Sequence, residues 1–518
     1  MTDWEFIGKA TQFIAEEMGV ALKKSAISPN IRERMDHSCA ITDSHGIIVA
    51  QAEHIPVHLG SFRLGVRNIM VWLENKGEVL NEGDMIITND PYISGTHMND
   101  VAIMAPVYIN GENAAYVVNK AHNVDVGGPV FGSLNPEAKN LFQEGFVIPP
   151  VKIVKKYTID QEIFSFILNN FKDPETALGD INAQIAANRT GIRRIQDLFS
   201  RFGKDHVTEG WKDLIDHSRI LSQQAISKWK KGKFRAVDYL EWGKDKVRLE
   251  ISLEVSDEGI MADFSGTSHE IEYPLNAVMG VTFSATAFAV RSAMKAEVPT
   301  NEGFYSIISV NAEAGSLVNP EKPFPVSGGN VETTQRIADL TLHALSQCVD
   351  GIPSASSGTM FNVMMGGRKN NGGYWSYYET IGGGNGAGPH RAGVSGVHSN
   401  MTNTLNTPVE VAEREYPLFF TSYTLRRNSG GGGKHSGGDG VIRSFRVTRP
   451  SSLSIIADRF NTRPYALSGG SQGKPGSVYI RHGKNKVKMP SKFSRELDKD
   501  DEVILMTPGG AGYGEIDQ

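Results

Sequence analysis

The stretch that decides the fold runs from Gly95 to Gly128. It reads Gly95-Thr96-His97-Met98-Asn99-Asp100, then an apolar run to Ile109, then Asn110-Gly111, then a second run to Lys120. His122-Asn123-Val124-Asp125-Val126-Gly127-Gly128 follows. Asn-Gly between two apolar runs predicts a β-hairpin, because a type I′ turn needs left-handed backbone at both central residues. Ile109 then faces Glu112. Carried down the ladder, this register puts Asn99 opposite His122 and Asp100 opposite Ala121. Opposed side chains on neighbouring strands lie ~5 Å apart, and diagonal ones stay within reach. His97, Asp100 and His122 are therefore expected together at the hairpin's open end. Pro106 lies inside the first run and predicts an edge position or a bulge there, since proline cannot donate to a ladder. The register is read to within one residue.

Two imidazoles and a carboxylate at one point suit a divalent metal. Mixed nitrogen and oxygen ligation favours manganese, zinc or iron over calcium and leaves positions open for water or substrate. The spacing His97-x-x-Asp100 recurs as His122-x-x-Asp125. The competing expectation makes both histidines polar strand-end residues bonded to backbone. Upstream, Ile31-Arg32-Glu33-Arg34-Met35-Asp36-His37-Ser38 places Asp36 just before a predicted strand. Asp36 is a candidate fourth ligand or general base; its competing reading is an ion pair with Arg32 or Arg34. Asp125 is the second candidate proton acceptor. His37, His45, His54 and His58 add imidazoles nearby, most of them expected at the surface or as hydrogen-bonded core residues.

Outward from the hairpin, Asp3 is a candidate cap for a first helix with Ala10, Phe13, Ile14, Met18, Ala21 and Leu22 on one face. Strands are expected at 40–42 and 47–49, around the turn Asp43-Ser44-His45-Gly46, and at 85–88. A helix is expected from Ser61 to about Glu74. The text turns helical from about 160 to 231, with Asp173-Pro174 as a start signal. Strands follow at 247–255 and 260–264 around Asp257-Glu258-Gly259, then helices near 277–295 and 331–348. Beyond 355 the chain reads as strand, turn and glycine loop. The class is mixed α/β (α+β). An N-terminal metal-site region with a helical insert is expected over 1–240, and a glycine-rich α/β region over 241–518.

Composition sets further limits. The 518 residues carry a formal charge of −5, which argues against a nucleic-acid binder, since such proteins show a basic stripe. Two cysteines, Cys39 and Cys348, give no disulfide framework and fit a reducing, cytoplasmic compartment. The first residues, Met1-Thr2-Asp3-Trp4-Glu5, lack the basic start and apolar run of a signal peptide. The least polar stretch, Ala277 to Val290, contains Thr282, Ser284 and Thr286 and is too short for a bilayer, which needs about 20 residues. No membrane association is expected. The chain has 55 glycines, and the excess is concentrated late, at 382–388, 430–440 and 509–514. Gly382 to Gly388 reads either as a set of tight turns or as a backbone nest for an anion. No Walker loop is present, and no serine-hydrolase elbow is expected.

Taken together, these residues resemble the hydantoinase B family, which includes N-methylhydantoinase B subunits, the matching half of 5-oxoprolinase, and subunits of caprolactamase and of acetone and acetophenone carboxylases. The resemblance spans nearly the whole chain. It rests on Arg32 to Ser38, Thr88-Asn89-Asp90-Pro91-Tyr92, the two histidine motifs, Asp263-Phe264-Ser265-Gly266-Thr267-Ser268 and Gly328-Gly329-Asn330-Val331-Glu332-Thr333. Later matches are Tyr378 to Gly384, Met401 to Pro408, Arg427 to Gly431 and Thr507-Pro508-Gly509-Gly510. The chain departs from the family pattern at Asn400, Asn428 and Ser436, where histidine, aspartate and arginine are expected. The resemblance implies a metal held by Asp36, His97, Asp100 and His122. It implies a hetero-oligomer with an ATP-binding, hydantoinase A-type partner that phosphorylates a lactam or hydantoin, which this chain then opens. A carboxylase subunit is the alternative implied reaction, and a non-catalytic scaffold is a third reading.

Overall fold

The computed structural model describes residues 3–52, 54–370 and 372–516. Seven strands form the first sheet: β1 (His37–Asp43), β2 (Ile48–Ala52), β3 (Met85–Thr88), β4 (Asp100–Ile109), β5 (Glu112–His122), β6 (Val151–Lys155) and β7 (Thr158–Ile159). Their order is β2-β1-β5-β4-β3-β6-β7, and all neighbours run antiparallel. β4 and β5 are interior strands, which explains why β4 after Asp100 and the middle of β5 read as near-continuous apolar runs rather than alternating. The helix Pro174–Phe202 lies across them. Its Gln184 and Asn188 donate to the carbonyls of Val101 and Ile103 and also bond Asn119 on β5.

The Asn110-Gly111 turn forms as expected, with φ of 52° and 84°. Ile109 faces Glu112, and Tyr108 faces Asn113. The ladder then slips by one residue: Val107 pairs with Ala115, leaving Ala114 as a bulge. So Asp100 stands opposite His122, not opposite Ala121. Pro106 sits one residue from the bulge but on an interior strand, beyond the stretch of β4 that pairs with β3.

The first helix, Asp3–Ser25, begins at the expected cap residue itself, whose side chain lies outside the described residues, as do Met1 and Thr2. The helix expected from Ser61 begins earlier and spans Pro56–Lys76. It starts on Pro56, whose fixed φ suits a first helical turn without a side-chain cap. The long helical segment resolves into Gln161–Leu168, Pro174–Phe202 and Lys204–Ser227. Asp160 caps the first of these through the Ile163 amide. Asp173 occupies the next cap position but accepts from Thr176 and Lys369 side chains instead of the backbone. No helix among the described residues is long and apolar enough to cross a membrane.

Three further sheets follow. One orders Ile308–Asn311, Ile260–Asp263, Asp245–Val255 and Gly232–Trp242; another orders Tyr374–Thr380, Asn362–Arg368, Ser451–Ile456 and Lys492–Leu497. The last has five strands, from Leu418–Arg426 to Asn485–Met489. One continuous apolar cluster packs the first sheet, its helices and the helices Met279–Ala293 and Thr334–Leu345. A second fills the space around Phe361, Trp375, Phe445, Leu453, Val478 and Leu505.

The glycines from 382 to 388 are neither a run of tight turns nor a nest, although Gly388 opens one turn with Arg391. No glycine from 382 to 388 has a left-handed φ. Instead, extended segments lie backbone against backbone. Gly384 donates to Pro508, Gly438 to Asn385, Gly510 to Gly438 and Gly431 to Gly510. A Cβ on Gly384 would sit 1.8 Å from the Gly438 carbonyl oxygen, and one on Gly386 would sit 1.7 Å from that of Ser354. Glycine is required there because neighbouring chains occupy the side-chain space. Gly469-Gly470-Ser471-Gln472-Gly473 does carry the spacing of a hydrolase elbow, contrary to expectation. It lies in this array rather than between a strand and a helix, and Ser471 Oγ bonds both the N–H and the carbonyl of Gly432.

Candidate metal centre

Asp100 opens β4, and His122 closes β5. Their direct pairing across the ladder sets both side chains on one face of the sheet. His97 comes from the turn after the short helix Pro91–Ser94, which ends on left-handed Gly95. Its Nε2 lies 3.1 Å from Asp100 Oδ1 and 3.2 Å from His122 Nδ1. His122 Nδ1 lies 3.4 Å from the same carboxylate oxygen. All three residues are buried. They form a group whose geometry can hold an ion.

The spacing tests the fit. Ligand atoms each ~2.1 Å from one ion, at neighbouring tetrahedral or octahedral positions, lie about 3.0–3.4 Å apart. All three observed separations fall in that range. A strand-end histidine bonded to backbone would leave no such convergence. The outer nitrogens, Nδ1 of His97 and Nε2 of His122, are buried without a protein hydrogen-bond partner.

Asp36 reaches the cluster because β1 pairs with β5, with His37 opposite Ala121. The Asp36 carbonyl accepts from the His122 amide at 3.0 Å, and its Oδ2 lies 3.9 Å from His122 Nδ1. The competing ion pairs do not form. Arg32 pairs with Glu33. Buried Arg34 donates to Asn30, Tyr378, Thr380, Thr404 and Leu405 oxygens. Asp125 is elsewhere. Its carboxylate accepts from the amides of Gly127 and Gly132 and from the Ser376 hydroxyl, with Lys172 at 3.4 Å. It shapes the loop after β5 and lines a separate cavity with Asn123, Asp173 and Asp180.

Three residues beside the cluster were given no metal-site role from the sequence. His58, in the first turn of the Pro56–Lys76 helix, places Nε2 at 3.2 Å from Asp100 Oδ2 and Nδ1 at 3.2 Å from Ser38 Oγ. Tyr378 stacks on His122, with centroids 4.5 Å apart and planes 9° from parallel. Lys120, two residues before His122, is buried and donates to Ser61 Oγ and the Ser94 carbonyl. His58 was noted only as one of several nearby imidazoles and Tyr378 only as the first residue of a family-like stretch; Lys120 carried no signal.

Electrostatics follow from burial and this crowding. Burial alone would raise the Asp100 carboxyl, but His97 and His58 hold it well below the usual range. Burial opposes a charged His97, yet the adjoining Asp100 carboxylate prevails and raises its pKa. Burial lowers His122 despite Asp36 and Asp100. Burial brings Lys120 down to about 7. The cavity at the cluster, lined also by Asn330, Thr402 and Thr404, measures about 20 Å³. That is room for an ion or a water, not for a ring-shaped substrate.

Comparison with known proteins supports the lineage. An uncharacterised protein of Methanocaldococcus jannaschii is 43% identical, over 98% of this chain and 90% of its own length. The 5-oxoprolinase of Dictyostelium discoideum is 34% identical over 97% of this chain, which spans only 39% of that enzyme. The crystal structure of the ATP-dependent caprolactamase from Pseudomonas jessenii matches with a TM-score of 0.91 and 25% identity, covering 99% of this chain and 90% of that one. The model of the family described as Hydantoinase B/oxoprolinase matches residues 2–516, and the chain belongs to that family.

Proposed function

We propose that this chain is the ring-opening subunit of an ATP-dependent cyclic-amide hydrolase acting on a lactam or hydantoin. The observation that carries the reading is the convergence of His97, Asp100 and His122 at ion-ligand spacing. These residues, with Asp36 beside them, would hold a divalent cation, manganese or zinc before iron. Bound there, it would acidify water and polarise the substrate oxygen. The Asp36 carboxylate would take the proton from the attacking water, a role for which it is the better candidate because Asp125 accepts from the amides of Gly127 and Gly132 and from the Ser376 hydroxyl. Tyr378 covers His122 and helps keep bulk water away.

An unstrained amide resists hydrolysis, so activation has to come first. This chain carries no Walker loop, and it spans about two fifths of the matched Dictyostelium oxoprolinase. A hydantoinase A-type subunit that binds ATP and phosphorylates the ring amide would supply the rest, in a cytoplasmic hetero-oligomer.

The test uses the complex with that partner. His97→Ala should lose the metal by elemental analysis and abolish ring opening, while the partner still turns over some ATP. Ring opening at the normal rate in the mutant would end the proposal. Strict dependence on bicarbonate would reassign the chain to a carboxylase, and a metal-free active complex would leave it a scaffold.

A further inference from the structure

The first helix, Asp3–Ser25, is apolar on two faces. One face packs inward: Ile7, Ile14, Ala15, Met18 and Leu22 are buried in the core. The other faces solvent. Phe6 is 44% exposed, Phe13 67% and Val20 50%. Phe13, grouped by its spacing with the core-facing residues, therefore stands on the outer face. The three residues recur at every seventh position. Such a repeat drifts only ~20° per heptad around an α-helix, so they form one stripe about 40° wide. Beside it runs a groove of about 550 Å³, walled on the far side by Leu198, Arg201 and Phe202 of the helix Pro174–Phe202. Exposed apolar surface of this kind marks a contact with another chain. A seven-residue repeat is the pattern by which one helix seats along a second.

Charges beside the stripe select the partner. Lys9 and Glu16, both exposed, flank it on the same side, Lys9 one turn before Phe13 and Glu16 one turn after. When a second copy of the helix lies antiparallel, with the two-fold axis at Phe13, Phe13 meets its own counterpart and Phe6 meets Val20 of the second copy. Lys9 meets Glu16 of the second copy, and symmetry repeats that pair. A parallel arrangement instead sets Glu16 beside Glu17 of the second copy. Glu17, on the other side of the stripe, is held within its own chain by Arg194 at 2.6 Å. The helix ends agree. The first turn carries Asp3 and Glu5 and the last turn Lys23 and Lys24, so the antiparallel pair brings opposite charges together. The stripe is complementary to itself in apolar content and in charge.

We infer that the outer face of the helix Asp3–Ser25 is a homodimer interface, in which two copies of this chain pack these helices antiparallel about Phe13. The inference is independent of the reading of the metal centre. A single helix pair is a small contact, at or below the ~1,200 Å² end of specific interfaces, so a dimer of micromolar strength is expected.

The test is sedimentation of the full chain over about 1–100 µM, the range in which a dimer of that strength dissociates. The wild-type chain should pass from monomer to dimer. Phe13→Glu should weaken the dimer by about thirtyfold or more, the scale of a central interface residue. Lys9→Glu and Glu16→Lys, each alone, should weaken it by about three- to tenfold, because each turns two symmetry-related pairs into like charges. The double variant Lys9→Glu/Glu16→Lys should restore it, because the exchanged charges face each other again. All of these side chains are exposed, so the melting temperature should hold. If Phe13→Glu unfolds the chain, the charge exchange decides alone, since it leaves the composition unchanged. A wild-type chain that stays monomeric at about 100 µM overturns the inference. So does a dimer that Phe13→Glu leaves intact, and so does a double variant that stays as weak as the single ones. A monomeric wild type whose Phe13→Glu variant no longer joins the ATP-binding subunit assigns the stripe to that subunit and overturns the inference as well.

Discussion

His58 Nε2 lies 3.2 Å from Asp100 Oδ2, while the opposite oxygen of that carboxylate faces His97 and His122. His58 therefore fixes the orientation of a candidate ligand without belonging to the trio. Outer partners of this kind typically change metal affinity by ~10–100-fold. His58→Ala is expected to weaken manganese or zinc binding by that factor, measured by competition with a chelator, while the fold persists. Unchanged affinity would mean that Asp100 needs no support.

Glu332 gives a pH-dependent prediction. Its carboxyl is fully buried, and burial, with a smaller contribution from Asp458, raises it from 4.5 to about 8. Below pH 4.5 the folded and unfolded chains both keep this proton. Between 4.5 and about 8 the unfolded chain releases it while the folded chain holds it, so stability falls as pH rises. Glu332→Gln keeps an acceptor for Met360 and Asn362 and removes the titration. The melting temperature of the variant relative to wild type should increase from pH 5 to pH 8. A constant difference would show that Glu332 is ionised in the fold.

Arg443 and Glu379 form a bidentate pair at 2.8 and 2.9 Å, with neither side chain more than 2% exposed. Phe420 and Tyr423 flank the guanidinium, each with its ring centroid at 4.4 Å. Removing one member leaves a buried charge uncompensated, which costs about 3–5 kcal/mol. Glu379→Ala is expected to lose stability on that scale in chemical denaturation. A loss below ~1 kcal/mol would indicate that water reaches Arg443.

Gly386→Ala probes the glycine array. The added methyl would meet the Ser354 carbonyl, which is itself fixed by its neighbours. Overpacking against backbone is expected to destabilise by about 1–3 kcal/mol or more, or to leave the chain insoluble. Gly372→Ala is the control for glycine removal, because a Cβ there meets nothing within 4 Å, although its positive φ adds mild strain. Equal stability of the two variants would contradict the close packing.

The sequence was most informative where structure is local. Asn110-Gly111 declared its turn, and two apolar runs declared their strands, so the open end of the hairpin could be located. Ala114 was invisible as a bulge, because an alanine in an apolar run looks the same whether paired or extruded. That single residue moved Asp100 from Ala121 to His122. Asp36 was legible only as preceding a strand; that this strand pairs with β5 and so carries Asp36 to the hairpin's open end is a long-range contact. Asp125 repeats in its motif the spacing of His97 and Asp100, but the motif does not show that its carboxylate accepts from two amides and a hydroxyl away from the trio. Tyr378, far away in the chain, reaches His122 through long-range packing that no pattern announces.

The glycine array draws together segments near 354–357, 382–388, 393–397, 429–440, 470–474 and 507–512. Its last contributor lies inside it: Gly510 joins Gly438 and Gly431, and Ala511 joins Ala355 and Ala387. During synthesis, the earlier segments of this array must therefore wait, with amides and carbonyls open, until residues 507–512 have been made. The sheet that carries His97, Asp100 and His122 uses strands made far earlier and can form first. His97, Asp100 and His122 can thus be brought together before Tyr378, Thr402 and Thr404 close over them, while the last third of the polypeptide is still vulnerable to chaperones, proteases and premature pairing with other nascent chains.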